Sequence, residues 1–133
     1  MPKLNWIAVA AASVAFFLVG FIWYGVLFED AWMAAKGIPA EPEDAGNPSW
    51  MLVGFIITVM QVVGLAMALK WKGAAGPAAA ATTAATLWAL FALPFTLYGY
   101  IYSLDHNSTL LMIDASHLLV GWIVSAIVLS LFK

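Results

Sequence analysis

The chain has 133 residues, 65% of them hydrophobic and 9% charged, with a mean hydropathy of +0.97 and a formal net charge of −2. A soluble domain carries about 25% charged residues, and one this short leaves too much surface exposed to hide so much apolar side chain, so the solvent for most of the chain is lipid. The absence of cysteine excludes disulfides, thiolate metal sites and cysteine nucleophiles, and five scattered lysines on an acidic chain argue against nucleic acid.

Four apolar stretches, residues 4–28, 49–71, 78–102 and 109–132, are each long enough to span a bilayer, which takes about 20 helical residues. They predict an all-α membrane protein, a single transmembrane domain of four helices over residues 1–133. The first stretch is too long for the apolar core of a signal peptide, about 7–15 residues, and is read as a retained helix. Its inner half is rich in small residues (Ala8, Ala10, Ala11, Ala12, Ser13, Ala15), which let helices approach closely. Its outer end carries Gly20, Trp23 and Tyr24, the two aromatics suiting a headgroup boundary.

Residues 29–48 form the one long connection. Residues 31–36 extend as a helical turn stopped by Gly37 and Pro39, and Glu41, Pro42, Glu43 and Asp44 read as a solvated acidic loop. The second span starts after Pro48 with Ser49 as a cap, holds Thr58, Gln61 and Gly64 in its middle third, and ends at Lys70, Trp71 and Lys72. Pro77 suits the first position of the third span. That span opens on an alanine- and threonine-rich half, and Pro94 removes a backbone donor, which predicts a kink. Tyr98, Tyr100 and Tyr102 follow. Asn107 or Ser108 caps the fourth span. Short connections between most spans predict an antiparallel up-down bundle.

Lys3, Lys70, Lys72 and Lys133 fall on one side of this four-span arrangement and only Lys36 on the other. The excess of positive charge predicts that both termini lie in the cytoplasm and the 29–48 loop outside.

The polar residues within the spans single out a site. Asp114 and His117 lie three residues apart on the fourth span, and apart from the boundary Lys70 no other formally charged group enters an apolar stretch. An ionisable group at membrane depth costs about 2.5–3.5 kcal/mol on insertion scales. At 1.5 Å per residue, Asp114 lies about 9 Å below the outer boundary, His117 about 13 Å, Gln61 about 16 Å and Gly20 about 10 Å. Trp23, Tyr24 and Tyr98 lie about a turn above. This predicts a buried polar layer of Asp114, His117 and Gln61, facing one another or a neighbouring subunit and supported by Trp23, Tyr24 and Tyr98. Gly20, Gly64, Gly121 and Ser125 are the expected helix-packing positions. Trp88 and Trp122, at mid-depth, each require a partner for the indole N–H.

Three readings of Asp114 and His117 remain open: a structural role, as a pair hydrogen-bonded within the bundle or with Asp114 bonded to Tyr or Trp donors; a proton or ion site; and a metal or haem ligand. No cofactor is predicted. A metal at His117 and Asp114 would need His106, Asp105 or a second copy of the chain to complete its ligands.

Asn5, the run Gly20-x-x-Trp23-Tyr24, Leu27-Phe28, Trp32, Pro94, Ile113-Asp114 and Gly121 together resemble a family of uncharacterised bacterial integral membrane proteins, catalogued as domain of unknown function 1761. The resemblance covers nearly the whole chain. It implies a small multi-span bacterial membrane protein and transfers no catalytic residue. Two functions fit: an oligomeric channel or transporter-like bundle, and an accessory or scaffolding subunit that binds lipid or another membrane protein. No Gly-rich phosphate loop, nucleophile constellation or sufficient ligand set points to an enzyme.

Overall fold

The computed structural model describes residues 3–36, 48–104 and 106–132. The acidic residues Glu41, Glu43 and Asp44, the stop signals Gly37 and Pro39, and Asp105 lie outside the described residues. What is described is helical, with no strand among those residues.

Helix α1 runs Trp6–Ile22 and continues without a break into a π-helical turn, Trp23–Leu27. Asn5 caps it: its side-chain oxygen accepts from the backbone N–H groups of Ile7 (3.1 Å) and Ala8 (3.2 Å). A short helix α2, Glu29–Lys36, follows. Helix α3 spans Pro48–Lys72, so Ser49 lies in its first turn and not at its cap. Helix α4, Pro77–Leu87, passes through a second π-helical turn, Trp88–Ala92, into α5, Leu93–Ile101. Pro77 occupies its first position. Helix α6, Ser108–Leu131, starts at Asn107, whose side chain accepts from the Leu110 N–H at 3.0 Å.

Four stretches are long and apolar enough to cross a membrane: Trp6–Leu27, Met51–Lys72, Pro77–Ile101 and Ser108–Leu131. Between α3 and α4 the chain turns through Gly73 and Gly76, at φ 71° and 89°, a region that side chains with a Cβ rarely enter. Lys72 Nζ closes the same turn by donating to Thr83 Oγ1 at 3.1 Å.

Side-chain size is sorted by face. Large apolar residues such as Ile7, Val14, Leu18, Phe21, Leu52 and Ile56 point outward. The interior includes many small ones: Ala8, Ala12, Ser13, Ala80, Ala84, Ser125 and Ala126 are buried, beside larger residues such as Phe16, Val62, Leu65 and Ile113. In lipid, apolar side chains lose nothing by facing out, so association comes from close packing of small residues. Helix α6 is the hub and packs against α1, α3 and α4, with α2 and α5 at one of its ends.

The α1–α6 contact is the tightest. Phe16, 1% exposed, lies across Gly121. A Cβ at residue 121 would fall 2.4 Å from Phe16 Cε1 and 2.6 Å from Cδ1. Gly121→Ala is therefore expected to cost about 1–3 kcal/mol of overpacking, more than the ~1 kcal/mol that alanine gains in helix propensity. Thermal unfolding in detergent, followed by circular dichroism, checks this; adding Phe16→Leu should restore part of the loss.

Candidate functional site: a tyrosine–carboxyl–histidine cluster between α1 and α6

The π-helical turn at the end of α1 places two consecutive aromatics against α6. Tyr24 donates its hydroxyl hydrogen to Asp114 Oδ1 at 2.5 Å, and Trp23 donates its indole N–H to Ser116 Oγ at 3.0 Å. Ser116 passes its own hydrogen to the Ile113 carbonyl at 3.1 Å. Residues 114 and 116 stand about 200° apart around a helix, so the two side chains straddle α6. A π turn carries an extra residue, and such turns recur at functional sites.

His117 packs beside Tyr24 and Phe16 of the first span. Its ring meets the Tyr24 ring edge-on at 4.9 Å and lies 5.5 Å from Phe16. Its Nε2 is buried, without a hydrogen-bond partner among the described residues. A Cβ at residue 20 would stand 3.2 Å from that atom, so Gly20 is where the backbone of α1 makes room for the imidazole. Trp32 extends the cluster from α2, its ring 5.3 Å from Tyr24.

Asp114 also reaches a cleft of about 210 Å³ between α2, α5 and α6, whose wall includes Ala35, Thr96, Tyr100, Ser103 and Asn107. Asn107 fastens α2 to this end of the molecule by donating to the Ala35 carbonyl at 3.2 Å. On the other side of His117, Phe16 seated on Gly121 closes the contact with apolar packing. The cluster thus adjoins an open cleft on one side and a tight apolar contact on the other.

The predicted layer separates into parts. Asp114, His117, Tyr24, Trp23 and Gly20 come together. Gln61 is bonded elsewhere: its Oε1 accepts from the Trp122 indole at 2.8 Å and its amide lies 3.4 Å from the Ile57 carbonyl. Tyr98 is exposed and stacks on Tyr102 at 6.0 Å, away from the carboxyl. Gly64 has open space where a Cβ would stand, whereas Gly121 and the fully buried Ser125 lie in the interior. His106 turns to Tyr100, its Nδ1 3.1 Å from that residue's carbonyl oxygen. Among the described residues no three His, Cys, Asp or Glu side chains gather as metal ligands. Trp88 satisfies its indole on the Ala115 carbonyl at 2.9 Å.

The sequence suggested Tyr or Trp donors to Asp114 without choosing Tyr24, and it did not suggest the role of Ser116. The signal was available in part, since a carboxyl in a span needs a donor and Tyr24 lies within about a turn of its depth.

Composition, four membrane-length helices and a polar cluster within them define a small polytopic α-helical membrane protein. Residues 7–130 match the family described as "Protein of unknown function (DUF1761)", and the chain belongs to that family. No curated protein and no solved structure matches it. Several residues that carry the family resemblance, Gly20, Trp23, Tyr24, Trp32 and Asp114, meet at this cluster.

A double-mutant cycle measures the strength of the link. Tyr24→Phe and Asp114→Ala are each expected to destabilise the protein, with a coupling of about 1–2 kcal/mol, between the average for interhelical bonds in membranes and that for bonds to charged groups. Denaturation of the four species in mixed micelles provides the check; strictly additive losses would show that the hydrogen bond contributes nothing.

Proposed function

We propose that the protein is a transporter-like bundle of the bacterial inner membrane that handles protons or small cations at Asp114 and His117. One observation carries this reading: Asp114, held by Tyr24 and flanked by His117, lies in the wall of a cleft between α2, α5 and α6. Carboxyl and imidazole groups within spans are the usual relay groups for protons and ions. Phe16 on Gly121 supports a gated site over an open pore, because it closes the packing beyond His117.

In this reading the spans run up and down in antiparallel order. The successive α1–α6 pairings support it: Tyr24 with Asp114, Gly20 with His117 and Phe16 with Gly121 pair rising numbers with falling ones. A bend of the third span near Pro94 is supported by the π-helical turn just before it. The termini and the turn between α3 and α4 face the cytoplasm, with the cleft and the 29–48 connection outside, on the strength of the lysine distribution. The working unit is a homo-oligomer. Ala78, Thr82, Thr86 and Ala89 form an exposed small-residue strip on the third span, and Thr82 and Thr86 return their hydroxyls to their own helix. Such a strip suits close contact with another helix.

An accessory role, in which the same cluster only ties α1 to α6, is favoured by its two interhelical hydrogen bonds, Tyr24 to Asp114 and Trp23 to Ser116.

The two readings separate by charge movement. Proteoliposomes on a solid-supported membrane should give transient currents on a pH or cation jump, and Asp114→Asn and His117→Ala should abolish them while eluting like the wild type. Currents unchanged in both variants would remove Asp114 and His117 from the transport path, and no current from the folded wild type would remove transport and leave the accessory role. Orientation is checked independently in this cysteine-free chain. Single cysteines at Ala75 and Leu104 should label from opposite faces, Ala75 from the cytoplasm; labelling of both from one face would overturn the four-span topology.

A further inference from the structure

The cleft beside Asp114 has an uneven hydrogen-bond inventory. Thr96 spends its one hydroxyl hydrogen on the Ala92 carbonyl at 2.7 Å, and Ser103 spends its own on the Tyr100 carbonyl at 3.1 Å. The Asn107 side chain is used at both ends, accepting from Leu110 N–H and donating to the Ala35 carbonyl. The Tyr24 hydroxyl occupies one position on Asp114 Oδ1. An ionised carboxylate offers about four acceptor positions and a hydroxyl two. Ser103 Oγ also accepts from the His106 N–H at 3.3 Å, so the wall keeps free lone pairs on Asp114 and Thr96 and one on Ser103, while the Thr96 and Ser103 hydroxyl hydrogens are already committed. Such a surface suits a ligand that brings hydrogens and positive charge.

Size and ligand count narrow the class. A cleft of about 210 Å³ is smaller than the roughly 300–1,000 Å³ of drug-sized sites, so the occupant has few heavy atoms. A hard metal cation such as calcium takes about six to eight oxygens, more than these three side chains supply. Three acceptor groups match the three N–H bonds of a primary ammonium group. Tyr100, on the same wall, is an aromatic residue of the kind that attracts cations. The positive end of α6 opens nearby, but its Leu110 and Leu111 N–H groups are both taken by Asn107.

We propose that the cleft between α2, α5 and α6 binds a small primary ammonium ion, with Asp114 as counter-ion and Thr96 and Ser103 as neutral acceptors. The inference rests on the cation-handling reading above and names its substrate class.

The test is a binding measurement on the purified full chain in detergent, with methylammonium as the probe. Tetramethylammonium, which has no N–H, and potassium serve as comparisons at equal ionic strength. Methylammonium should give saturable heat in calorimetry and raise the melting temperature, and the other two should not. Asp114→Asn should abolish the binding. Thr96→Val, which keeps the side-chain shape and disturbs no charge, should weaken it roughly tenfold, the loss of one hydrogen bond to a charged group. Equal binding of tetramethylammonium or potassium, no methylammonium binding by the folded wild type, or full binding by folded Thr96→Val would overturn the proposal. Failure here is distinct from failure of the transport reading. Methylammonium binding without currents keeps the site and removes transport. Proton-driven currents without methylammonium binding remove the ammonium site and keep transport.

Discussion

The close approach of α1 to α6 is the constraint on which the rest of the structure depends. In lipid there is no hydrophobic force to drive one apolar helix onto another, and contact must be earned by packing and by hydrogen bonds. Gly121 lets the buried Phe16 ring lie on the α6 backbone, and Gly20 lets the His117 ring lie on the α1 backbone. A methyl group at residue 121 would collide with a ring, and one at residue 20 would press on the imidazole. With the helices this near, Trp23 and Tyr24 can reach around α6 to Ser116 and Asp114. The polar cluster is a consequence of the glycine contacts as much as of the polar residues themselves.

The extra residue in the π-helical turn has its effect at the same place. On a regular helix successive side chains diverge by about 100°. Here two successive aromatics hold opposite flanks of a single neighbour, and the widened turn falls at those residues. The second π-helical turn begins at Trp88, whose indole is bonded to the Ala115 carbonyl of α6. Both irregular turns thus carry tryptophans that bond to the segment of α6 from residue 113 to 117. Irregular backbone is concentrated around one stretch of the hub helix.

Much of this was legible in the sequence at the level of height and little at the level of direction. Four spans follow from length and apolarity, because a bilayer demands both. Asp114 and His117 stood out because ionisable groups within spans are costly. Counting residues gave each polar group a depth, which brought Tyr24 and Gly20 near Asp114 and His117. The same counting also brought Gln61 and Tyr98 to that layer, and they belong elsewhere: depth fixes position along a helix but not the direction a side chain takes around it. Gln61 turns to Trp122 on α6, and Tyr98 turns out to stack on Tyr102. Gly64 has the right residue type on a face that this chain leaves open. The spacing of hydrophobic residues could not resolve these directions, since all faces of each span are apolar.

The choice of a carboxyl at residue 114 remains to be accounted for physically. Around α6 the other side-chain ties are neutral: Trp23 to Ser116, Trp122 to Gln61 and Trp88 to the Ala115 carbonyl. Each links two helices without placing an ionisable group in a span. An aspartate costs about 2.5–3.5 kcal/mol to insert at the centre of a span, and an interhelical hydrogen bond returns about 0.6–2 kcal/mol. A tie between α1 and α6 alone would be made at lower cost by asparagine or serine at that position. The carboxyl differs from those residues in one respect that the geometry uses: as a carboxylate it offers about four acceptor positions, so several remain after Tyr24 has bonded to it, and it lies in the wall of a cleft beside Thr96 and Ser103, whose hydroxyl hydrogens are committed. That surplus of acceptors, and not the tie itself, is what sets Asp114 apart from the neutral pairs around it.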